Sequence, residues 1–361
     1  MKSLKPHEEH LTLCTYCPSL CRHACPVATA EGRDTVSPWG LMSVAGHVME
    51  KRVRLSQDLA EVLYHCTGCG ACTDACKHDV PVATTLVDAR AEVVARGMAP
   101  VGAEAFVHRF KNKISAKRAT GHAKTPSILV LPGHRDVPPD GEEVRVLLKL
   151  ADRLGESELG ISPTSWLDTG ASLWQAGYRE GFRRFSVRMR EELALSKHVV
   201  VLSSEAATVL RSVYPREGPR VTAEVLHVAE FLLPLLYGDS VKRLEGRFGY
   251  IRSCRLPTRS GGIDVQTELL GRVLEEPALN ISSLSSELGC CGGGGCLPQA
   301  ASPVTASAAE RVVARALEEG VEHLVTFSPE CWTALAEAAG DRLEVLSVVA
   351  LVDRAVPGRA R

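Results

Sequence analysis

The chain has 361 residues, of which 45% are hydrophobic and 24% charged, so it is long enough for two or three soluble domains with buried cores. The formal net charge of −1 gives no electrostatic basis for binding nucleic acid. Residues 1–10 lack the apolar core of a signal peptide, and the longest apolar run, residues 225–237, is too short to span a bilayer. We therefore predict a cytoplasmic protein with no transmembrane segment, in which any membrane association is provided by a partner.

The chain contains thirteen cysteines, which require a specific explanation. A disulfide scaffold is typical of small secreted proteins, and this chain is large and shows no export signal. Metal binding is therefore the better interpretation. Eight of the cysteines fall within residues 14–76, and the other five lie between residues 254 and 331.

The N-terminal cysteines form two motifs of four. They are Cys14-x2-Cys17-x3-Cys21-x3-Cys25 and Cys66-x2-Cys69-x2-Cys72-x3-Cys76. Three closely spaced thiolates can ligate one cubane, and in two-cluster ferredoxins the displaced fourth cysteine ligates the other cluster. The motifs therefore predict two 4Fe–4S clusters, the first on Cys14, Cys17, Cys21 and Cys76 and the second on Cys66, Cys69, Cys72 and Cys25.

Zinc is the competing interpretation of these motifs, because paired C-x2-C units also build tetrahedral zinc sites. A zinc site would normally leave no role for four cysteines crowded into the eleven residues 66–76, so the spacing favours iron and sulfur. Gly68 and Gly70 are predicted to let the backbone curl around the cluster and to aim amide groups at its sulfurs. Lys77 departs from the ferredoxin pattern, which has proline after the last cysteine.

Residues 1–100 are predicted to form the cysteine-dense helical domain, and residues 101–126 a basic linker. That linker is either simply solvated or a docking surface for an acidic partner or an anionic lipid. From residue 127 onward, short apolar runs alternate with helical patterns, which predicts two parallel α/β halves over residues 127–240 and 246–355. The predicted strands are 128–131, 199–202, 248–251 and 324–327. The predicted helices are 39–50, 57–64, 82–96, 142–154, 204–213, 224–236, 265–274, 308–318 with Ser307 as N-cap, and 329–339.

The two halves resemble each other in sequence. Four residues that follow the strand at 199–202 recur 125 positions later, namely Ser203, Glu205, Thr208 and Leu210 as Ser328, Glu330, Thr333 and Leu335. This pattern predicts an internal duplication, and the fold class is therefore a multidomain α+β protein with two pseudo-repeated halves.

The C-terminal cysteines centre on a doublet, Cys290 and Cys291, that is followed by four glycines. The glycines permit close backbone approach and amide hydrogen bonds to sulfur. A phosphate-binding loop is disfavoured because the Lys-Ser/Thr of a P-loop does not follow. Cys254 precedes the doublet by 35 intervening residues, and Cys331 follows it. Cys296 lies outside this pattern and is interpreted as an incidental thiol.

The two N-terminal motifs, about forty residues apart, resemble the helical ferredoxin domains of several redox complexes. These include the iron–sulfur subunits of succinate dehydrogenase, heterodisulfide reductase, anaerobic glycerol-3-phosphate dehydrogenase and glycolate oxidase. The doublet, with Cys254 and Cys331 at the expected spacing, resembles the CCG motif of the cysteine-rich domains of the heterodisulfide reductase family. Ser328 stands where that motif has a fifth cysteine.

The resemblance implies a third metal centre on Cys254, Cys290, Cys291 and Cys331, with Ser328 as a candidate additional ligand. An ordinary cubane, a noncubane cluster, structural zinc and a metal-free vestigial site remain open, although Ser328 disfavours the noncubane form because serine oxygen suits soft iron–sulfur centres poorly. In the first half, the same spacing retains none of the cysteines, and its positions are occupied by His134, Trp166, Leu167, Ser203 and Ala206. We expect that half to hold no cluster and to serve as scaffold or docking surface.

Three functions are compatible with these features. The leading hypothesis is an electron-transfer subunit that relays electrons between a dehydrogenase or reductase partner, of the flavin-bearing kind, and a quinone, thiol or other carrier. The first alternative is a reductase that acts on a disulfide or related sulfur substrate at the C-terminal site. The second is a non-redox assembly protein whose metals only stabilise the fold. The sequence assigns no catalytic residue.

Overall fold

The structure is a computed structural model that describes residues 2–116, 126–133, 141–161, 169–237, 241–256 and 264–358. His134, Trp166 and Leu167, which the sequence comparison of the two halves uses, lie outside these residues. The described chain begins with a helical region, which is followed by two regions that each contain a four-stranded sheet. The coarse fold class predicted from sequence is therefore confirmed.

The helical region begins with six helices: α1 (Glu8–Tyr16), α2 (Pro26–Glu31), α3 (Pro38–Met49), α4 (Gln57–Val62), α5 (Ala71–Asp74) and α6 (Val82–Ala95). Local chemistry sets several of their starts. The Ser37 hydroxyl accepts a hydrogen bond from the Gly40 amide at 3.1 Å, with proline at the first helical position. The Cys25 thiol likewise accepts from the Ala28 amide at 3.4 Å.

The predicted basic linker begins with a helix, α7 (Val101–Ala116). Ala103, Phe106, Val107 and Phe110 of this helix are buried, and they recur at the three- and four-residue spacing of a helix face that packs into a core. The helix thus anchors the connection to the rest of the protein. The side chains from residue 111 onward, which carry most of the predicted positive charge, lie outside the described residues.

The two sheets have the same strand order and only parallel pairing. The first has the order β2-β1-β3-β4, from β1 (Ile128–Leu131), β2 (Leu159–Gly160), β3 (His198–Val201) and β4 (Glu224–His227). The second has the order β6-β5-β7-β8, from β5 (Phe248–Tyr250), β6 (Leu279–Asn280), β7 (His323–Thr326) and β8 (Glu344–Ser347). In each sheet the chain moves outward to one edge, then returns to the other side of the starting strand.

Helices surround both sheets, as parallel pairing requires, because the connections must cross over a face of the sheet. Those of the first region are α8 (Glu142–Arg153), α9 (Ala171–Gln175), α10 (Arg179–Leu193), α11 (Ser204–Thr208), α12 (Tyr214–Glu217) and α13 (Val228–Leu232). Those of the second region are α14 (Val265–Val273), α15 (Leu297–Ala300), α16 (Ser302–Glu318), α17 (Pro329–Ala339) and α18 (Val348–Ala355). A π-helical segment, Val209–Val213, joins α11 to α12.

Two local predictions were wrong. Residues 224–227 form strand β4 and not the start of a helix, because Val225 and Leu226 pair with β3, and α13 starts only after His227. There the His227 ring and the Glu230 side chain form a reciprocal capping box. Ser307 is not an N-cap, because α16 starts at Ser302 with proline in its first turn. The Ser307 hydroxyl donates instead to the carbonyl oxygen of Ala30 at 3.4 Å.

The carboxyl ends of β3 and β7 face each other across the contact between the two sheet regions. The Ser203 hydroxyl donates to the Glu330 carboxylate, and the His227 ring nitrogen Nε2 lies 2.8 Å from the carbonyl oxygen of Phe327. Apolar side chains of both regions, including Val200 and Val325, share one buried cluster. Parallel α/β sheets bind ligands at the carboxyl ends of their strands where the strand order reverses, so this is where a site is expected.

Candidate metal centres

Cys25, Cys66, Cys69 and Cys72, the four predicted ligands of the second cluster, line one cavity. The Gly68 amide donates to the Cys66 sulfur at 3.3 Å, and Gly68 and Gly70 have φ values of 69° and 83°. These left-handed conformations allow the chain to turn tightly around the cavity, as the glycines predicted. A cavity lined by four thiols, with a backbone amide aimed at one sulfur, fits a 4Fe–4S cluster.

The protonation of these thiols depends on the metal. Burial raises the pKa of Cys25 to about 12, and the neighbouring thiols of Cys69 and Cys66 contribute. Burial also raises the pKa of Cys72, with contributions from Cys66, Cys69, Cys25 and Cys21. Thiolates packed this closely in an apolar cavity require a positively charged partner, and metal binding supplies it while it releases the protons.

Cys14, Cys17, Cys21 and Cys76, the predicted ligands of the first cluster, form a second neighbourhood. Burial raises the pKa of Cys14 to about 12, and the nearby thiols of Cys21, Cys76 and Cys17 raise it further. Cys76, from the second motif, therefore lies among the thiols of the first motif. These four cysteines are only partly buried. Large apolar side chains beside them are exposed, with Tyr16 at 70% and Leu20 at 66%.

Cys254, Cys290, Cys291 and Cys331 also lie together. The Cys291 and Cys331 sulfurs are 2.8 Å apart, and the Cys290 thiol lies beside that of Cys254. Cys254 comes after β5 and Cys331 after β7, where the strand order of the second sheet reverses. The site therefore occupies the ligand-binding position of an open parallel sheet.

The glycines after the doublet shape this third site. The amides of Gly292 and Gly293 donate to the sulfurs of Cys290 and Cys291, each at 3.4 Å. A Cβ atom at Gly293 would overlap the carbonyl oxygen of Glu330. The glycines therefore allow backbone to approach both the sulfurs and the start of α17, as predicted for this string.

Ser328 has other partners. Its hydroxyl donates to the Glu330 carboxylate and accepts from the Ser204 hydroxyl at 3.1 Å. Ser203 donates to the same carboxylate, so Glu330 is buried with hydroxyl donors from both sheet regions. Cys296 is fully buried in the apolar core that includes the helical region.

The second and third groups of cysteines are in direct contact. The Cys69 thiol lies beside the Cys290 thiol, and the Cys290 thiol donates to the Thr67 hydroxyl at 3.5 Å. Cβ atoms at Gly294 and Gly295 would lie 3.0 Å from the carbonyl oxygens of Thr67 and Cys66. The glycine string thus packs against the cysteine loop of the helical region, a role that its sequence alone does not indicate.

A cleft of about 840 Å³ opens beside this contact. It is lined by Cys69 and Cys254, and by the arginines Arg211, Arg252 and Arg255. Sequence patterns alone do not reveal this cleft, because its lining comes from five segments that are distant in the chain. The one local signal is that Arg252 and Arg255 flank Cys254.

In the part of the chain that the structure describes, no three His, Cys, Asp or Glu side chains converge as ligands of a single metal ion. A cubane makes a different demand, because each of its four cysteines binds a different iron atom.

Comparison with known families agrees with this geometry. Residues 10–80 match the family described as a 4Fe-4S dicluster domain, and this range contains all eight N-terminal cysteines. Residues 248–336 match the family described as a cysteine-rich domain, designated CCG, and this range contains all four cysteines of the third site. The chain combines a 4Fe–4S dicluster domain with a CCG cysteine-rich domain. The resemblance identified from sequence is thereby confirmed, and 4Fe–4S clusters are the cofactors of the N-terminal domain.

One curated relative is similar to nearly the whole chain. This relative is a subunit of the fumarate reductase (CoM/CoB) of Methanothermobacter marburgensis. It is 22% identical over an alignment 379 positions long, which covers 98% of this chain and 75% of the relative. The similarity therefore extends beyond the two matched domains into the first sheet region. Among the described residues, no helix is long and apolar enough to cross a bilayer.

Proposed function

We propose that this protein is the iron–sulfur electron-transfer subunit of a multi-subunit reductase. The contact of Cys290 with the loop that holds Thr67 and Cys69 carries the proposal, because it joins the dicluster domain directly to the third site. When bound, the clusters supply one-electron redox chemistry. The protein holds them with three sets of cysteines. The backbone contact of Gly294 and Gly295 with Thr67 keeps the second and third sets next to each other.

The ligand assignment is part of this proposal. Cys14, Cys17, Cys21 and Cys76 hold the first cluster, and Cys66, Cys69, Cys72 and Cys25 hold the second. Cys254, Cys290, Cys291 and Cys331 hold the third centre, an iron–sulfur cluster in this proposal and zinc in its alternative. Ser328 is not a ligand in this assignment, since its hydroxyl is engaged by Ser204 and Glu330.

We further propose that the two sheet regions arose by duplication, with domains over residues 1–100, 127–240 and 246–355 and a connector over residues 101–126. The identical strand order of the two sheets supports this origin. The first half acts as scaffold, and the contact of Ser203 and Ser204 with the loop at Ser328 supports that role.

A redox partner subunit, of the flavin-bearing kind, is proposed to exchange electrons at the first cluster. The relative is named as one subunit of a reductase, which supports a multi-subunit assembly. The exposed Tyr16 and Leu20 side chains beside the first cysteine set suit a protein contact. The proposed location is the cytoplasm.

Anaerobic purification with iron and acid-labile sulfide assays tests the proposal. We expect about twelve iron atoms per chain, or about eight if zinc occupies the third site. Fewer than about four would contradict the two-cluster assignment. Dithionite should bleach the visible spectrum, and an unchanged spectrum would favour the non-redox assembly protein. The Cys296→Ser variant should give the same iron content and spectrum as the wild type, since this buried thiol lies outside all three sets.

A second function is favoured by the cleft at the third site. It exposes Cys254 beside Arg211, Arg252 and Arg255, which suits an anionic thiol or disulfide substrate. Electron paramagnetic resonance (EPR) after mild oxidation distinguishes this reductase from an electron-transfer subunit, because a noncubane signal would support disulfide chemistry. In that case Ser328→Cys should increase disulfide-reducing activity.

A further inference from the structure

Arg90 is a buried cation at the second cysteine loop. It lies in α6 and is 1% exposed. Its guanidinium donates to the carbonyl oxygens of Leu63 at 3.0 Å, Cys66 at 2.8 Å and Gln175 at 2.9 Å. It also stacks over the Tyr64 ring, 5.1 Å from the ring centroid. Within the described residues, no carboxylate lies at ion-pair distance from it.

A buried cation with no carboxylate partner is costly, because hydrogen bonds to neutral carbonyl groups replace only part of its hydration. The cost is reduced where an anion lies nearby. A cubane with four thiolate ligands is an anion, and the Cys66 thiolate would be one of those ligands. The Arg90 guanidinium, which donates to the Cys66 carbonyl oxygen, therefore lies next to one of the proposed ligands.

Arg255 approaches the same loop from the cysteine-rich domain. It donates to the carbonyl oxygen of Thr67 at 2.8 Å, and a Cβ atom at Gly68 would lie 2.7 Å from its guanidinium nitrogen. Glu205 lies 3.8 Å away and offsets part of its charge. The loop that starts at Cys66 is therefore flanked by two guanidinium groups, of which only that of Arg255 has a nearby carboxylate.

The cations close to the first cysteine set have a different environment. Arg22, next to Cys21, pairs with Asp34 at 3.0 Å, and Arg52, near Tyr16, pairs with Glu50 at 2.8 Å. The arginine side chains are 36% and 53% exposed, and Lys77, which follows Cys76, is exposed as well, so solvent screens these charges. Their effect on a nearby cluster is correspondingly weak.

We propose that Arg90, assisted by Arg255, raises the reduction potential of the second cluster above that of the first. Reduction adds one electron to a cluster, and a fixed cation in a buried, low-dielectric site stabilises that added negative charge. In the transfer between the two clusters, the first loses the electron that the second gains, and no other reactant is needed. The arginines thus favour the electron on the cluster beside the third centre. This inference depends on the proposed function.

The test is an EPR-monitored redox titration of the full-length protein with its clusters. A Cys17→Ser variant, which alters the first set, and a Cys290→Ser variant, which alters the third, assign the signals of the clusters. We expect Arg90→Gln to lower the potential of the second cluster and to leave that of the first unchanged. Arg255→Gln should lower it less, because Glu205 already offsets part of that charge. Arg90→Lys, which retains a cation, should stay close to the wild type, and Arg52→Gln is the solvent-exposed control.

Wild-type potentials in both glutamine variants would overturn the inference. An equal shift in Arg90→Lys and Arg90→Gln would also overturn it, since the effect would then come from geometry and not from charge. If Arg90→Gln loses its clusters, Arg255→Gln and Arg90→Lys still decide the outcome. A wild-type protein without iron would contradict the proposed function instead, and the iron assay separates the two failures.

Discussion

The thiol of Cys69, in the 4Fe–4S dicluster domain, lies beside the thiol of Cys290, in the cysteine-rich domain. This contact and burial raise the pKa of the Cys69 thiol well above its ordinary value. Two proposed ligand sets therefore meet at one point of the molecule. A variant on either side of this contact can show whether the sets bind metal separately.

Cys290→Ser should remove the metal of the third site and leave the N-terminal clusters in place, because Cys290 belongs only to the third set. The expected iron content falls from about twelve to about eight atoms per chain if the third centre is a cubane. Elemental analysis for iron and zinc together measures the loss. Cys296→Ser should retain the full content, and an equal loss in that control would contradict the assignment.

Ser328→Ala should leave the metal content unchanged and lower the free energy of unfolding. The substitution removes a hydroxyl that donates to the buried Glu330 and accepts from Ser204, so it should cost about 1–3 kcal/mol. Anaerobic denaturant titration measures the stability, and metal analysis of the same sample measures the content. A loss of metal would instead make Ser328 a ligand.

Gly293→Ala should destabilise the third site, because its Cβ would overlap the carbonyl oxygen of Glu330. Overpacking of this kind costs about 1–3 kcal/mol, and we expect loss of the third-site metal with the dicluster signals retained. Gly271→Ala is the matched control. Gly271 lies inside α14 with no atom within 4 Å of the added Cβ, so alanine should be neutral or stabilising. Full metal retention in Gly293→Ala would argue against this role of the glycine string.

Acid should destabilise the contact between the sheet regions through His227. Burial lowers the pKa of His227 from 6.5 to about 4. Because the unfolded chain takes up the proton first, the stabilising contribution is complete above pH 6.5 and is lost as the pH falls toward 4. The full loss is about 3 kcal/mol. Denaturant titrations between pH 7 and 5 should show that the free energy of unfolding depends less on pH in His227→Gln than in the wild type. An equal pH dependence in the two proteins would contradict the assignment of this effect to His227.

Sequence patterns anticipated the parts of the fold that neighbouring residues control. Ser37 and Pro38 mark the start of α3, and the apolar run of β3 is fully buried at Val199, Val200 and Val201. The helix predicted to start at residue 224 was wrong at Val225 and Leu226, because these residues pair with β3 in a long-range interaction. The sequence pattern also placed the start of α16 at residue 308, after Ser307 as N-cap, six residues too late, although Pro303 was a local signal for the true start.

The sequence by itself determined the cysteine motifs, because ligands a few residues apart must share one loop, and it thereby determined the class of cofactor. Only the tertiary structure decided that Cys69 meets Cys290, that the glycine string packs on Thr67, and that Arg90 is buried against Cys66. These contacts join segments that are remote in the chain. Their geometry depends on how whole helices and sheets pack, which no local spacing of residues specifies.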